Sequence, residues 1–411
     1  MPEKFSIRMS IIKRNTGSSI ITRSILLVSL VSFFNDIGSE MLYPVMPVFL
    51  RSIGFSVVLI GLLEGFAEAT AGISKGYFGN LSDKTGRRVP FVRFGYLLSA
   101  LAKPMMAAFT TVWWIFLART TDRLGKGIRT SARDALLSDE TTPENKGRVF
   151  GFHRAADTLG AAIGPMLALL YLHFRPGEYK LLFVLAFLPG LVSVFITLLL
   201  RDRKKEKQAN HPRPGFFSFL SYRHRAPLPY KMLVGGLLAF TLFNSSDAFL
   251  LLGLKEKGIS DTAMIGYYIF YNLVYALVAY PVGILADRLG LYRTLIAGLI
   301  VFSVVYSGMG FADGMWFFGM LFMLYGIYAA ATEGVSKALI TNISRKEDTA
   351  TALGFYNALS SIFTMLASTL AGLIWYHFGS VAMFTVSGTG ALLTAAYLAW
   401  ARMKGQVTVN K

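Results

Sequence analysis

A chain of 411 residues that is 54% hydrophobic and only 16% charged, with a mean hydropathy of +0.51, is too apolar for a soluble globular domain, where about a quarter of residues carry charge. Its net charge of +18 would fit a nucleic-acid binder, but the Lys and Arg residues crowd alternate loops between apolar runs, which is the topology signal of a multi-span membrane protein. The absence of cysteine excludes disulfides, thiolate metal sites and thiol nucleophiles.

In chain order, residues 1–23 hold Lys4, Arg8, Lys13, Arg14 and Arg23 without a small-residue cleavage site and read as a retained cytoplasmic tail. Twelve apolar runs follow, centred near residues 37, 67, 99, 124, 159, 189, 242, 275, 302, 327, 361 and 391. Each is long enough to cross ~30 Å of hydrocarbon as a helix. The fold expected is therefore all-α, with a first six-helix bundle at 24–200, a basic cytoplasmic linker at 201–227, a second six-helix bundle at 228–402 and a tail at 403–411. The polar run at 201–214 cannot span; it reads as a solvated topology determinant or a segment lying on anionic headgroups. Placing both termini inside puts the basic loops on the cytoplasmic surface.

Charges interrupt several spans. An ionisable group at mid-bilayer is costly unless it is paired or faces water, so each is a functional candidate. Span one carries Asp36 and Glu40, span two Glu64 and Glu68, span three Lys103, and span five Arg154 and Asp157. The four-residue spacing puts each acidic pair on one helix face. Span four carries Arg119, Asp122, Arg123, Lys126, Arg129 and Arg133 at steps of three and four, a cationic stripe with one acid, followed by Asp134. In the first half acids and bases balance, so a fully paired network is one reading; proton coupling at Asp36, Glu40, Glu64 or Glu68 and anion contact at Arg123 or Lys126 is the other. The second half offers Asn244, Asp247, Tyr267, Tyr271, Tyr325, Tyr328, Glu333, Lys337 and Asn357. Glu333 and Lys337, four apart, are expected to pair with each other, leaving Asp247 as the acid to explain.

The halves repeat. G-N-L-S-D-K-T-G-R-R at Gly79–Arg88 returns as G-I-L-A-D-R-L-G at Gly283–Gly290, 204 positions on. Ala135–Leu137 with Gly151–Ala155 is echoed by Ala338–Ile340 with Gly354–Ala358, and F-F-N-D at Phe33–Asp36 by L-F-N-S at Leu242–Ser245. Two parallel six-span repeats place a substrate path between them.

The G-x-L-x-D-x-x-G-R-R loop between spans two and three, with its partner between spans eight and nine, resembles the signature loop of the major facilitator superfamily. G-A-A-I-G-P at Gly160–Pro165 resembles an element of that superfamily's drug/proton antiporters, and Asp122–Leu136 resembles a bacterial subfamily of unassigned substrate. The resemblance implies a functional monomer in a bacterial cytoplasmic membrane. It also implies a conformational latch built from Gly79, Asp83, Gly86, Arg87 and Arg88, with Arg133 and Asp134 level with it, and a weaker second latch from Gly283, Asp287 and Arg288. In that latch the loop Asp pairs with an Arg and with a helix N-terminus across the halves. Gly160, Gly164 and Pro165 permit close packing and a bend in span five.

No protease, hydrolase or nucleotide-binding motif is present, so an enzyme, an ATP-driven pump, a cofactor and a metal site are not expected. The expectation is secondary transport of a small organic solute by alternating access, coupled to protons, with the lipid bilayer and no nucleic acid as partner. Efflux is preferred on the resemblance; the span-four cations offer uptake or export of an anionic metabolite or siderophore-like compound instead. A non-transporting receptor or scaffold is the rival of another class, and a lipid-moving variant would carry a cavity open sideways.

Overall fold

A computed structural model describes residues 20–43, 45–202 and 215–404. The basic residues of the amino-terminal tail up to Arg14, the run 203–214 and the tail from 405 lie outside these described residues. The helices are α1 (Arg23–Leu42), α2 (Met46–Ser52), α3 (Val57–Thr85), α4 (Val89–Ala108), α5 (Val112–Asp139), α6 (Lys146–Phe174), α7 (Tyr179–Leu198), α8 (Tyr222–Arg225), α9 (Leu228–Phe243), α10 (Ala248–Glu256), α11 (Asp261–Leu289), α12 (Leu291–Phe311), α13 (Met315–Ile343) and α14 (Thr349–Met403). Gly379, at φ 84°, divides α14 into two helices, a backbone that glycine adopts freely. Span one is α1 with α2, broken at Tyr43–Val45, and span seven is α9 with α10, broken at Asn244–Asp247. With those two breaks and the turn at Gly379, the helices fall on the twelve expected spans.

Eight helical segments among the described residues are long and apolar enough to cross a membrane by length and composition. α3, α4 and α5 are not among them, and these carry Glu64, Glu68, Lys103 and the cationic series. Charge inside a span weakens its hydropathy signal without preventing it from being a span when the bundle interior accepts the charge.

Side-chain oxygens start the helices. Thr22 accepts from the Ile25 N–H at 3.3 Å, Ser56 from Leu59 at 3.2 Å and Ser260 from Ala263 at 3.3 Å. Asp202, at the end of the first described half, accepts from the Arg88 and Val89 N–H groups at 2.8 and 2.9 Å and so caps α4. α1 packs on α6 and α7, and α4 on α5 and α7; in the second half α12 packs on α13 and α14, and α11 on α13. The halves meet along two seams, α3 on α14 and α6 on α11. Lipid tails are as apolar as the helices, so close approach of backbones, not a hydrophobic drive, holds such packing. Gly160 and Gly164 serve this on α6: a Cβ on Gly164 would stand 2.6 Å from the Ile37 carbonyl oxygen of α1. Pro165 is buried inside α6, which runs through it without a break.

The linker is more than a solvated tether. From Gly215 onward it folds into a 3-10 turn at Ser218–Ser221 and α8, pressed on the signature-loop ends of α3 and α14. The Phe216 ring meets that of Tyr77, Asn80 donates to Ser218 at 2.8 Å, and buried Phe219 rests on Gly76. Tyr222 packs edge-on against Tyr230.

Candidate functional site

The two seams close at the signature-loop end in the same way. Asp83 accepts from the Ala350 N–H at 3.2 Å, the Thr351 N–H at 2.5 Å and the Thr351 hydroxyl at 2.7 Å, which are the second and third residues of α14. Asp287 accepts from the Gly147 and Arg148 N–H groups at 2.7 and 3.0 Å, the second and third residues of α6. Each carboxylate therefore caps a helix of the opposite half, where free N–H groups and the helix dipole favour an anion. Arg88 pairs with Asp83 at 2.5 Å, and Arg148 with Asp287 at 3.3 Å. Arg87 and Arg288 are exposed. Gly79 faces Ala350, and Gly147 faces Gly283, close enough that no side chain fits. Gly86, at φ 63°, ends α3 with its N–H on the Asp83 carbonyl.

Deeper in, two ion pairs cross between the halves. Lys337 reaches Asp134 at 2.7 Å, and Arg154 reaches Glu333 at 2.9 Å. This corrects two expectations. Glu333 and Lys337 do not pair with each other, because α6 and α5 supply a nearer partner to each. Arg133 and Asp134 do not join Asp83 either: they pair with each other at 2.9 Å, and Arg133 also donates to Ser32 at 3.1 Å and approaches Asp157 at 3.8 Å.

Above these pairs lies a cavity of about 400 Å³ between the halves. Its walls carry Asp36, Glu40, Arg123, Lys126, Arg154, Asp157, Tyr271 and Asn357 among the predicted residues, together with Lys75. A smaller space of about 220 Å³, between α6, α9, α13 and α14, shares Arg154, Glu333, Lys337 and Asn357 with it. A crevice of about 590 Å³ separates α3 from α14, lined by Glu64, Glu68, Ser361 and Thr364 and sharing Lys75 and Asn357 with the cavity; exposed Ile362 and Met365 lie on its α14 side.

The first half's charges are not mutually neutralised. Arg119 grips Glu64 through two bonds at 2.8 and 2.9 Å, Arg123 lies 3.3 Å from Glu68, and Arg154 holds Asp157 at 2.9 Å. Arg129 donates to Ser99 and stacks on Tyr96, and Lys103 donates to the Ser99 carbonyl. Among the described residues Asp36, Glu40, Lys75 and Lys126 have no ion pair within 4.0 Å, and all four line the cavity. The Asp36 carboxyl accepts from the Asn35 amide at 2.9 Å and lines the cavity together with Asp157. Lys75 donates to the Ser361 hydroxyl of α14 at 3.3 Å.

Asp247, in the break of span seven, accepts from Tyr271 and Tyr325, both at 2.6 Å, so it is satisfied within the second half without a cation. Tyr328 accepts from Asn244 at 3.1 Å, while Tyr267 bonds the Met315 carbonyl at the far end of α11. Sequence reading passed over Lys75, Arg148 and Asp202. Lys75 had a signal, falling seven residues after Glu68 on the same face of α3; the other two look like ordinary loop charges.

The sequence profile described as Major Facilitator Superfamily matches residues 28–271 and 249–410. An uncharacterized MFS-type transporter of Methanocaldococcus jannaschii is 33% identical over 369 residues, covering 88% of this chain and 91% of that protein. A multi-drug resistance efflux pump homolog of Lactococcus lactis is 21% identical over 86% of this chain and 90% of its own. Among solved structures, the human organic anion transporter MFSD10 superposes with a TM-score of 0.75 at 17% identity, covering 92% of this chain and 99% of that one. The Escherichia coli fucose:proton symporter gives a TM-score of 0.75 at 13% identity over 93% and 99%.

Proposed function

The chain belongs to the Major Facilitator Superfamily, and from that premise we propose that it moves a small polar organic solute by alternating access, coupled to protons through Asp36. It is a multi-pass membrane transporter and not an enzyme. The orientation we adopt puts both termini and the signature-loop end in the cytoplasm, as the basic loops require. The arrangement described is then the outward-facing one, latched at its inner end by Asp83 and Asp287.

The observation that carries the coupling is a chain of contacts from the cavity wall to the other half. Asp36 and Asp157 line the same cavity, Asp157 is held by Arg154, and Arg154 spans to Glu333 on α13. Two carboxyls lining one cavity repel when both are charged, and a proton on one relieves that repulsion. With the proton present, Asp157 keeps its charge for Arg154; with it lost, two like charges share the cavity and compete for the same guanidinium. The hold of Arg154 on Glu333 thus depends on the occupancy of Asp36, which gives a proton differential affinity for two arrangements of the halves. Glu40, one turn along α1, extends the same wall. Glu64 and Glu68, engaged by Arg119 and Arg123, serve as structural anchors of α3 on α5.

The cavity's lining supports a hydrophilic solute over an amphipathic one. The efflux of amphipathic compounds is supported by the Gly160–Pro165 element and by the likeness to efflux pumps, and the crevice between α3 and α14 would give such compounds a lateral way in. The test is proteoliposome transport with an internal pH dye, offering organic anions, siderophores and cationic drugs to wild type, Asp36→Asn and Glu40→Gln. Proton movement driven by one solute class and abolished in Asp36→Asn is expected. Solute flux that leaves internal pH unchanged, or proton movement retained in Asp36→Asn, would overturn the coupling; binding without flux would overturn transport itself.

A further inference from the structure

The cavity holds two ammonium groups with no carboxylate. Lys75 comes from α3 and Lys126 from α5, and both line the same space. Two like charges directed into one polar space repel, and a cation within a membrane span costs from a few to more than ten kcal/mol unless something compensates it. The protein supplies carboxylates to the neighbouring bases: Arg119, Arg123, Arg133, Arg154 and Lys337 each have one. Among the described residues neither of these two has one within 4.0 Å, and Arg129 on the same wall, also without one, donates to Ser99 instead.

A third donor points the same way. The side-chain amide nitrogen of Asn357 is buried without a hydrogen-bond partner. It belongs to α14, in the opposite half, and Asn357 lines the cavity, the adjoining smaller space and the crevice. A buried donor left unmade costs ~1–3 kcal/mol, so its natural complement is an acceptor that arrives from outside.

We propose that the transported solute is an organic anion whose carboxylate or phosphate group sits between Lys75 and Lys126 and accepts from Asn357. This deepens the transporter reading and rests on it for the word transported, though not for binding. One anion placed there converts a repulsion into two attractions and satisfies the orphaned amide. Because two donors stand on the first half and one on the second, the anion gains most when the halves close over it, which is the differential contact alternating access needs. At ~30 Å³ for each water-sized unit of liquid volume, the cavity admits a solute of roughly a dozen non-hydrogen atoms. Asp36 and Glu40, on the α1 wall, are left for its hydroxyl or amino groups.

The test uses the purified full chain in detergent. Calorimetric titration and thermal shift with inorganic phosphate, sulfate, succinate and glycerol 3-phosphate are compared with glucose and ethidium. Anion binding that weakens as ionic strength rises is expected, with succinate and glycerol 3-phosphate separating the carboxylate from the phosphate preference. Lys75→Gln and Lys126→Gln should each lower affinity ten- to a hundredfold, Asn357→Ala severalfold, and Lys126→Arg should restore binding, which separates charge loss from misfolding. Absence of binding by every anion at high millimolar concentration, or anion binding unchanged in both Lys→Gln variants, overturns the inference. Proton-coupled flux of only a neutral or cationic solute overturns it too while leaving the transporter reading standing. Lysine-dependent anion binding without flux of any solute supports the inference and sinks transport.

Discussion

Replacing Asp83 by Asn tests the latch most directly, since the side chain keeps its shape and loses its charge. In the arrangement described, Asp83 accepts from two backbone N–H groups and a hydroxyl of α14 and pairs with Arg88. Arg88 would not be orphaned, because it also reaches Asp139 at 3.4 Å and Ser82 at 3.0 Å. Both oxygens of Asp83 accept, Oδ1 from Ala350 and Oδ2 from Thr351, so the amide loses the charge and also turns an NH2 toward one of these donors. Hydrogen bonds to a charged group contribute ~1.5–3 kcal/mol against ~0.5–1.5 for neutral ones, and an anion at a helix N-terminus adds ~0.3–1 kcal/mol. A cost of about 2–3 kcal/mol falls on the latched state alone, so opening at the signature-loop end should become roughly thirty- to a hundredfold more favourable, at tenfold per ~1.4 kcal/mol. The chain has no cysteine, so Lys84→Cys with Lys346→Cys gives a clean spin-label pair across this seam for pulsed distance measurement. Asp83→Asn should transfer population to the longer distance. Asp287→Asn should do so on the other seam, with additive free energies because the caps share no partner. A distance distribution identical to wild type in Asp83→Asn would refute the reasoning.

The remaining predictions are narrower. Gly147→Ala places a Cβ 2.7 Å from the Gly283 carbonyl oxygen, so it should hold the α6–α11 seam apart and slow transport while leaving expression intact, as read by a label pair placed across that seam and by flux. Lys337→Met strands the fully buried Asp134 with Arg133 alone and should destabilise by ~3–5 kcal/mol; adding Asp134→Leu should recover part of the melting temperature. Asp247→Asn retains an acceptor for one of Tyr271 and Tyr325 and offers the other an NH2 that its phenol oxygen can accept, so proton movement should persist, whereas Asp247→Ala should cost ~1–3 kcal/mol for each phenol left unsatisfied.

Span positions were legible because an apolar run of some twenty residues finds a stable home in hardly anything but a membrane-crossing helix, and the duplicated loop announced the pairing of halves. Polar contacts were legible only where partners lie on one helix. Glu333 and Lys337 satisfied the four-residue rule yet chose Arg154 and Asp134, since neighbouring helices in a bundle compete with local spacing and no single-helix rule sees them. The same blindness hid Arg148, whose role exists only once α6 meets α11. The Asp83 cap was foreseen by resemblance; that Asp287 reproduces it on the equivalent residues of α6, with Arg148 in place of a loop arginine, required the folded chain. Balance of charge along the sequence allowed full neutralisation as one of two readings, but neutrality is a matter of distance, and Asp36, Glu40, Lys75 and Lys126 are left facing the cavity.

The folded stretch of linker has a consequence for how the two halves swing. Phe219 on Gly76 and Tyr222 against Tyr230 weld α3 to the second half along one side with packed rings. Beside α6 and α11, by contrast, the start of α6 and the turn before it are tied across by two hydrogen bonds, Lys146 to the Thr341 carbonyl and Asn342 to the Pro143 carbonyl. Two jaws joined by a strap at one edge do not part evenly. The mouth at the signature-loop end should gape first along α6 and α11 and pivot about the strapped edge, so that a solute passes that end by one flank of the molecule and the linker sets which flank that is.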